Sequence, residues 1–193
     1  KDYYFMGNAQ LLLVQLFHEI NDDEHASEQL LLAKKSYETA GYPLNRIYFY
    51  QAMLTKDDAE KSALLAKSVA AGGRDWAMTM QAYLNLSELA LDKEQTQKAA
   101  AYYNMGKAEI EKFAPDNVFF GALLSLSHVK ILYAQELYAE ALSVIESLYT
   151  KNAPGGLVAA LRGHPIYVMP WRTRSAFCLL YTSPSPRDVE ESR

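Results

Sequence analysis

The feature that most constrains this chain is a three-residue pattern that returns four times at nearly even intervals. A small residue is followed four positions on by an apolar or aromatic one, and three further on by another small or apolar one. The instances are Ala26/Leu30/Ala33, Ser62/Ala66/Val69, Ala99/Tyr103/Gly106 and Ala141/Ile145/Leu148, whose first members lie 36, 37 and 42 residues apart. Spacing of i, i+4 and i+7 puts all three on one face of a helix. Small side chains there let a neighbouring helix approach closely, which a repeat of helix pairs needs once per unit.

Each such helix is preceded by another amphipathic stretch and a short polar turn. The pattern predicts first helices over Tyr3–Ile20, Asn45–Leu54, Trp76–Leu91 and Val118–Ala134. Second helices are expected to end at Ala40 and Ala71, and to span Thr96–Phe113 and Ala139–Thr150. Asn21-Asp22-Asp23, Thr55-Lys56-Asp57-Asp58 and Asp75 supply oxygens for the unpaired amide hydrogens of helix starts, where a negative charge also meets the positive end of the helix dipole. Gly41-Tyr42-Pro43 and Gly72-Gly73 are stop signals. Ile47–Tyr50 and Ile166–Met169 have strand propensity but lack hairpin partners.

The repeats divide the chain into units at 3–40, 45–71, 76–113 and 118–150, with a partial fifth from 166, together forming a helical domain over 1–177. Met169–Phe177 has the look of a first helix cut short, whose exposed apolar face predicts self-association through that end. Cys178–Asp188 matches a translated sequencing adapter residue for residue, and Val189–Arg193 fits the index and continuation that follow it. Residues 178–193 are therefore expected to be a non-native tail on a gene fragment of the kind shotgun sequencing yields. The competing reading is a natural, extended Ser-Pro linker.

Several functions are disfavoured by composition. Half of the 193 residues are apolar and 22% are charged, the balance of a globular chain. The net charge of −4 and dispersed Lys and Arg, with Lys34-Lys35 the only adjacent pair, argue against a nucleic-acid-binding surface. No apolar run approaches the roughly 18 residues of a membrane span. The lone Cys178 falls in the tail and says nothing of redox compartment. Localisation stays open, with the cytoplasm favoured.

These residues resemble the tetratricopeptide repeat family, most clearly from Trp76 to Thr150 and in outline from Tyr3. Tyr83, Leu86, Ser87 and Ala90 fall where that family packs its first helix, and Ala99, Tyr103 and Gly106 where it packs its second. Tyr138-Ala139-Glu140-Ala141, followed by Ile145 and Leu148, matches its turn-to-helix signature. The units exceed the usual 34 residues, the terminal proline is absent or displaced, and Val129 fills a small-residue position. The long helices are similar to divergent repeats of bacterial regulators and sensors.

The resemblance implies an all-α fold, a right-handed superhelical solenoid of antiparallel helix pairs, about four pairs plus a truncated fifth. It implies that first helices line a concave face, with Gln15, Gln51, Glu88 and Lys130 at one equivalent inner position. Asn8, Gln81, Tyr48, Asn85 and Ser127 would sit beside them. Such a groove suits the backbone of an extended peptide or a partner protein, without cofactor or turnover. The rival readings are a sensory segment of a larger bacterial signalling or transcription-regulating protein, and an accessory domain of an enzyme cut away from it.

Candidates for catalysis are few. His18 and His25 flank four acids, but Asn21-Asp22-Asp23 breaks the helix between them, which favours capping over metal binding. His128 is expected in the core or a helix interface, and His164 in a loop. No nucleophile elbow, phosphate loop or zinc spacing occurs, so the chain is expected to be non-enzymatic, with no metal or cofactor.

Overall fold

The computed structural model describes residues 2–72 and 75–151. They belong to one compact unit, Lys1–Pro154; a second unit, Gly155–Arg193, lies outside them. The partial fifth pair, the strand-like Ile166–Met169, His164, the self-association end at Phe177 and the adapter-like tail therefore all fall outside the described residues. Every described element is an α-helix: α1 (Tyr3–Glu19), α2 (Asp23–Ala40), α3 (Asn45–Leu54), α4 (Asp58–Ala71), α5 (Trp76–Asp92), α6 (Thr96–Phe113), α7 (Val118–Ala134) and α8 (Tyr138–Lys151). Each expected boundary is met to within one residue.

The helix starts are chemically marked. Asp22, Asp57, Asp75 and Asn117 each sit at an N-cap and accept an amide hydrogen three residues on. Gly41 ends α2 with a left-handed φ of 65°. No helix among the described residues is long and apolar enough to cross a membrane.

Each helix packs most extensively on its partner within a pair: α1 on α2, α3 on α4, α5 on α6 and α7 on α8. Second helices then touch the next first helix, and the first helices touch in the order α1, α3, α5, α7. The core follows this order. Leu11, Val14, Ala26, Leu30, Ala33 and Tyr37 of the first pair enclose Ile47 of α3. Phe49 and Ala52, on another side of α3, pack with Leu65 of α4 and with Met78, Ala82, Leu86 and Leu89 of α5. Ala90 and Ala99 meet Ile131 of α7, and Val129 and Leu132 meet Ala141 of α8.

A first helix placed between two pairs is covered on opposite sides, which explains the strand-like alternation of Ile47–Tyr50. Ile47 and Phe49 are both buried although they lie within α3, because each faces a different neighbouring pair. Met78, Met80, Ala82, Leu84 and Leu86 of α5 repeat the effect.

One expectation is corrected. Ser62/Ala66/Val69 is not the packing face of α4: Ala66 is exposed and Ser62 and Val69 are half-buried. Leu65 and Ser68 are fully buried instead, one residue out of register. Burying Leu65 removes more apolar surface from water than burying Ala66 would, by about 1–2 kcal/mol. Ser68 Oγ donates to the Asn45 carbonyl at 2.8 Å, which anchors α4 to the start of α3. In the other units the small positions are buried as expected at Ala26, Ala33, Ala99, Gly106 and Ala141. Ser87, also buried, donates to the Ala99 carbonyl at 2.8 Å. Val129, the larger residue of the fourth unit, is buried without such a bond.

Candidate functional site

The nine residues expected to recognise a partner all lie on first helices and are all half-buried, with side chains that are neither core nor fully solvated. Asn8 and Gln15 belong to α1, Tyr48 and Gln51 to α3, Gln81, Asn85 and Glu88 to α5, and Ser127 and Lys130 to α7. Two of the four equivalent positions touch. Lys130 Nζ of α7 makes an ion pair with Glu88 Oε1 of α5, 42 residues away in sequence. Matching positions of successive first helices are thus neighbours in space at this end.

The remaining polar groups are engaged to different degrees. Asn85 Nδ2 donates to the Gln81 carbonyl of its own helix at 2.8 Å. Gln15 Nε2 reaches Glu19 at 3.4 Å, a long contact on an exposed surface. Asn8 is committed more deeply to the fold. Its Oδ1 accepts from Tyr37 Oη at 2.7 Å and from Arg46 Nη1 at 3.0 Å, so that one carbonyl joins α1, α2 and α3.

Arg46 carries this junction onward. Its Nε donates to Asp75 Oδ2, while Asp75 Oδ1 caps α5 by accepting from the Met78 amide at 3.2 Å. Burial pushes the Tyr37 phenol up to about 12, so it stays a neutral donor. Burial works against the Arg46 charge, yet the Asp75 carboxylate more than offsets it, and the guanidinium pKa is raised. The Tyr37–Asn8–Arg46–Asp75 chain was not foreseen. Its one sequence signal is Arg46, the sole basic residue of α3, lying directly after the buried Asn45.

The three histidines among the described residues, His18, His25 and His128, make structural contacts. His18 Nδ1 lies 3.2 Å from Asp23 Oδ1, and His25 Nδ1 lies 2.7 Å from Asp22 Oδ2. The hydrogen bond to Asp22 raises the pKa of His25 and its reciprocal lowers that of Asp22, which also accepts the His25 amide as the cap of α2. His25 further stacks on Phe17 at 5.3 Å. His128 stacks on Tyr103 across the α6–α7 contact, with ring centroids 5.1 Å apart. Burial first, and then Lys107, lowers its pKa. No cluster of metal-ligating side chains occurs among the described residues.

Among the described residues the geometry defines consecutively packed α-helix pairs, whose first helices carry half-buried polar side chains. Comparison with protein-family models, with curated proteins and with solved structures finds no match.

Proposed function

We propose that this chain is a non-catalytic scaffold of the tetratricopeptide kind, its helix pairs continuing into a right-handed solenoid whose concave side receives an extended segment of a partner protein. One observation carries the reading: Glu88 and Lys130, set at equivalent positions by register, pair between α5 and α7. Applied to α1 and α3, the same register gives a continuous strip through Gln15, Gln51, Glu88 and Lys130.

The chemistry of the strip indicates its ligand. Its acid and its base neutralise each other, which leaves amides, a serine hydroxyl and the half-exposed ring of Tyr48 as recognition groups. Amides offer both donors and acceptors, the complement of an extended peptide backbone, and an aromatic ring supplies contact area at little entropic cost. The favoured partner is therefore an uncharged, extended segment, in contrast to an acidic tail held by a cluster of lysines.

Selection from a displayed library of random dodecapeptides against the whole chain tests this. Peptides of low net charge should be enriched, and the paired substitution Tyr48→Ala with Gln51→Ala should weaken them about tenfold or more, ~1.4 kcal/mol. Peptides that bind equally well to that variant would rule out the strip as the recognition surface.

A further inference from the structure

α1 is apolar on two opposite sides, and only one of them is covered. Gly7, Leu11 and Val14 face the first pair's own core. On the other side Phe5, Met6, Leu12, Leu13, Leu16 and Ile20 stand between 40% and 70% exposed, with Ala9 also exposed among them. Positions 6, 9, 13, 16 and 20 advance alternately by three and four, the spacing of a seam that receives another helix. No charged side chain or histidine interrupts the stretch from Phe5 to Phe17.

The molecule contains its own template for what covers such a face. α1 and α2 match α5 and α6 end for end at a shift of 73 residues: Tyr3–Glu19 onto Trp76–Asp92, and Asp23–Ala40 onto Thr96–Phe113. At that shift Phe5, Ala9, Leu13 and Leu16 correspond to Met78, Ala82, Leu86 and Leu89. The latter four are buried against Phe49, Ala52 and Leu65 of the preceding pair. The same apolar positions thus serve as a helix-packing surface in α5 and lie bare in α1.

We propose that this face of α1 pairs, antiparallel, with the same face of a second copy of this chain. Turned about its midpoint, the stripe sets Phe5 opposite Ile20, Ala9 opposite Leu16 and Leu12 opposite Leu13. The small side chain therefore meets a large exposed one, and no like charges meet within the seam. Six large side chains at this exposure leave on the order of 600 Å² of apolar surface per copy. Pairing removes at most about 1,200 Å² in all, the lower end of what a specific dimer buries. A two-fold contact of this kind closes on itself and stops at two copies. The proposal is independent of the peptide-binding reading, since the stripe and the polar strip share no residue.

Sedimentation equilibrium of the whole chain, from about 1 to 100 µM, tests it at a dissociation constant expected in the micromolar range. The expected result is a monomer–dimer equilibrium. Leu16→Glu and, separately, Ala9→Glu should each weaken it about 30-fold or more, with helical circular dichroism unchanged because both sites are exposed. Tyr138→Glu, at the exposed start of α8, should leave the equilibrium as it was. A monomer throughout this range would overturn the proposal, whether the stripe is open or covered by another segment. So would a dimer insensitive to both glutamates, or one lost in Tyr138→Glu.

Discussion

Gly7 shows how little room the first pair leaves. A Cβ built there would lie 2.5 Å from Cδ2 of Tyr37, whose ring is 1% exposed and tethered through its hydroxyl to Asn8. The ring cannot swing away without breaking that bond. Gly7→Ala gains about 1 kcal/mol of helix propensity but forces an overpacking that costs about 1–3 kcal/mol. The expected outcome is a net loss of about 1 kcal/mol, read as a lower urea midpoint at unchanged slope. Gly106 is gentler: a Cβ there meets Leu84, Tyr83 and the Met80 carbonyl at 3.4 Å, ordinary close contact between α6 and α5.

At the scale of elements, the units share a turn as well as helices. Asn21, Glu94 and Glu136 carry positive φ values of 60°, 57° and 61°, each two residues before its second helix. Each is followed by an amide that bonds back five residues: Asp22 to Phe17, Gln95 to Ala90 and Leu137 to Leu132. Asn tolerates the left-handed region, whereas Glu resists it by about 1 kcal/mol. Glu94→Gly and Glu136→Gly should therefore each stabilise the protein by about 0.5–1 kcal/mol, and Asn21→Gly by less, in thermal melts of the single variants. The second unit breaks the pattern. Its first helix, α3, has 10 residues where α1, α5 and α7 have 17, and Thr55 leaves it in extended conformation. The shift of the α4 packing face by one residue occurs in this shortened unit.

Across the whole molecule, the polar chain from Tyr37 through Asn8 and Arg46 to Asp75 ties the first pair to α3 and to the start of α5. Asp75 serves it twice, as ion partner and as cap. Asp75→Ala should cost about 2–4 kcal/mol, because it uncaps α5 and strands a part-buried guanidinium; Asp75→Asn, which keeps a capping oxygen, should cost less. Chemical denaturation of both variants checks the order, and equal losses would assign the whole effect to the ion pair with Arg46. The boundaries of these elements were legible in the sequence because caps, glycines and helical periodicity are local properties, each settled within a few residues. The packing positions of the first, third and fourth units were legible too, since Ala26, Ala99 and Ala141 each open an i, i+4 set with a larger partner, Leu30, Tyr103 or Ile145. In α4 small residues at Ser62, Ala63, Ala66, Ser68, Ala70 and Ala71 fall on several faces, so small-residue spacing alone does not select one, and α4 takes the orientation that buries Leu65 against Phe49. Neither the joining of Asn8 to Arg46 nor the pairing of Glu88 with Lys130 could be read as a contact from residues 38 and 42 positions apart. By itself, then, the chain determined where its helices begin and end and that they come in pairs. Tertiary structure alone decided which polar groups are spent in holding pairs together and which stay half-exposed, because that depends on the distance between side chains brought together only by packing.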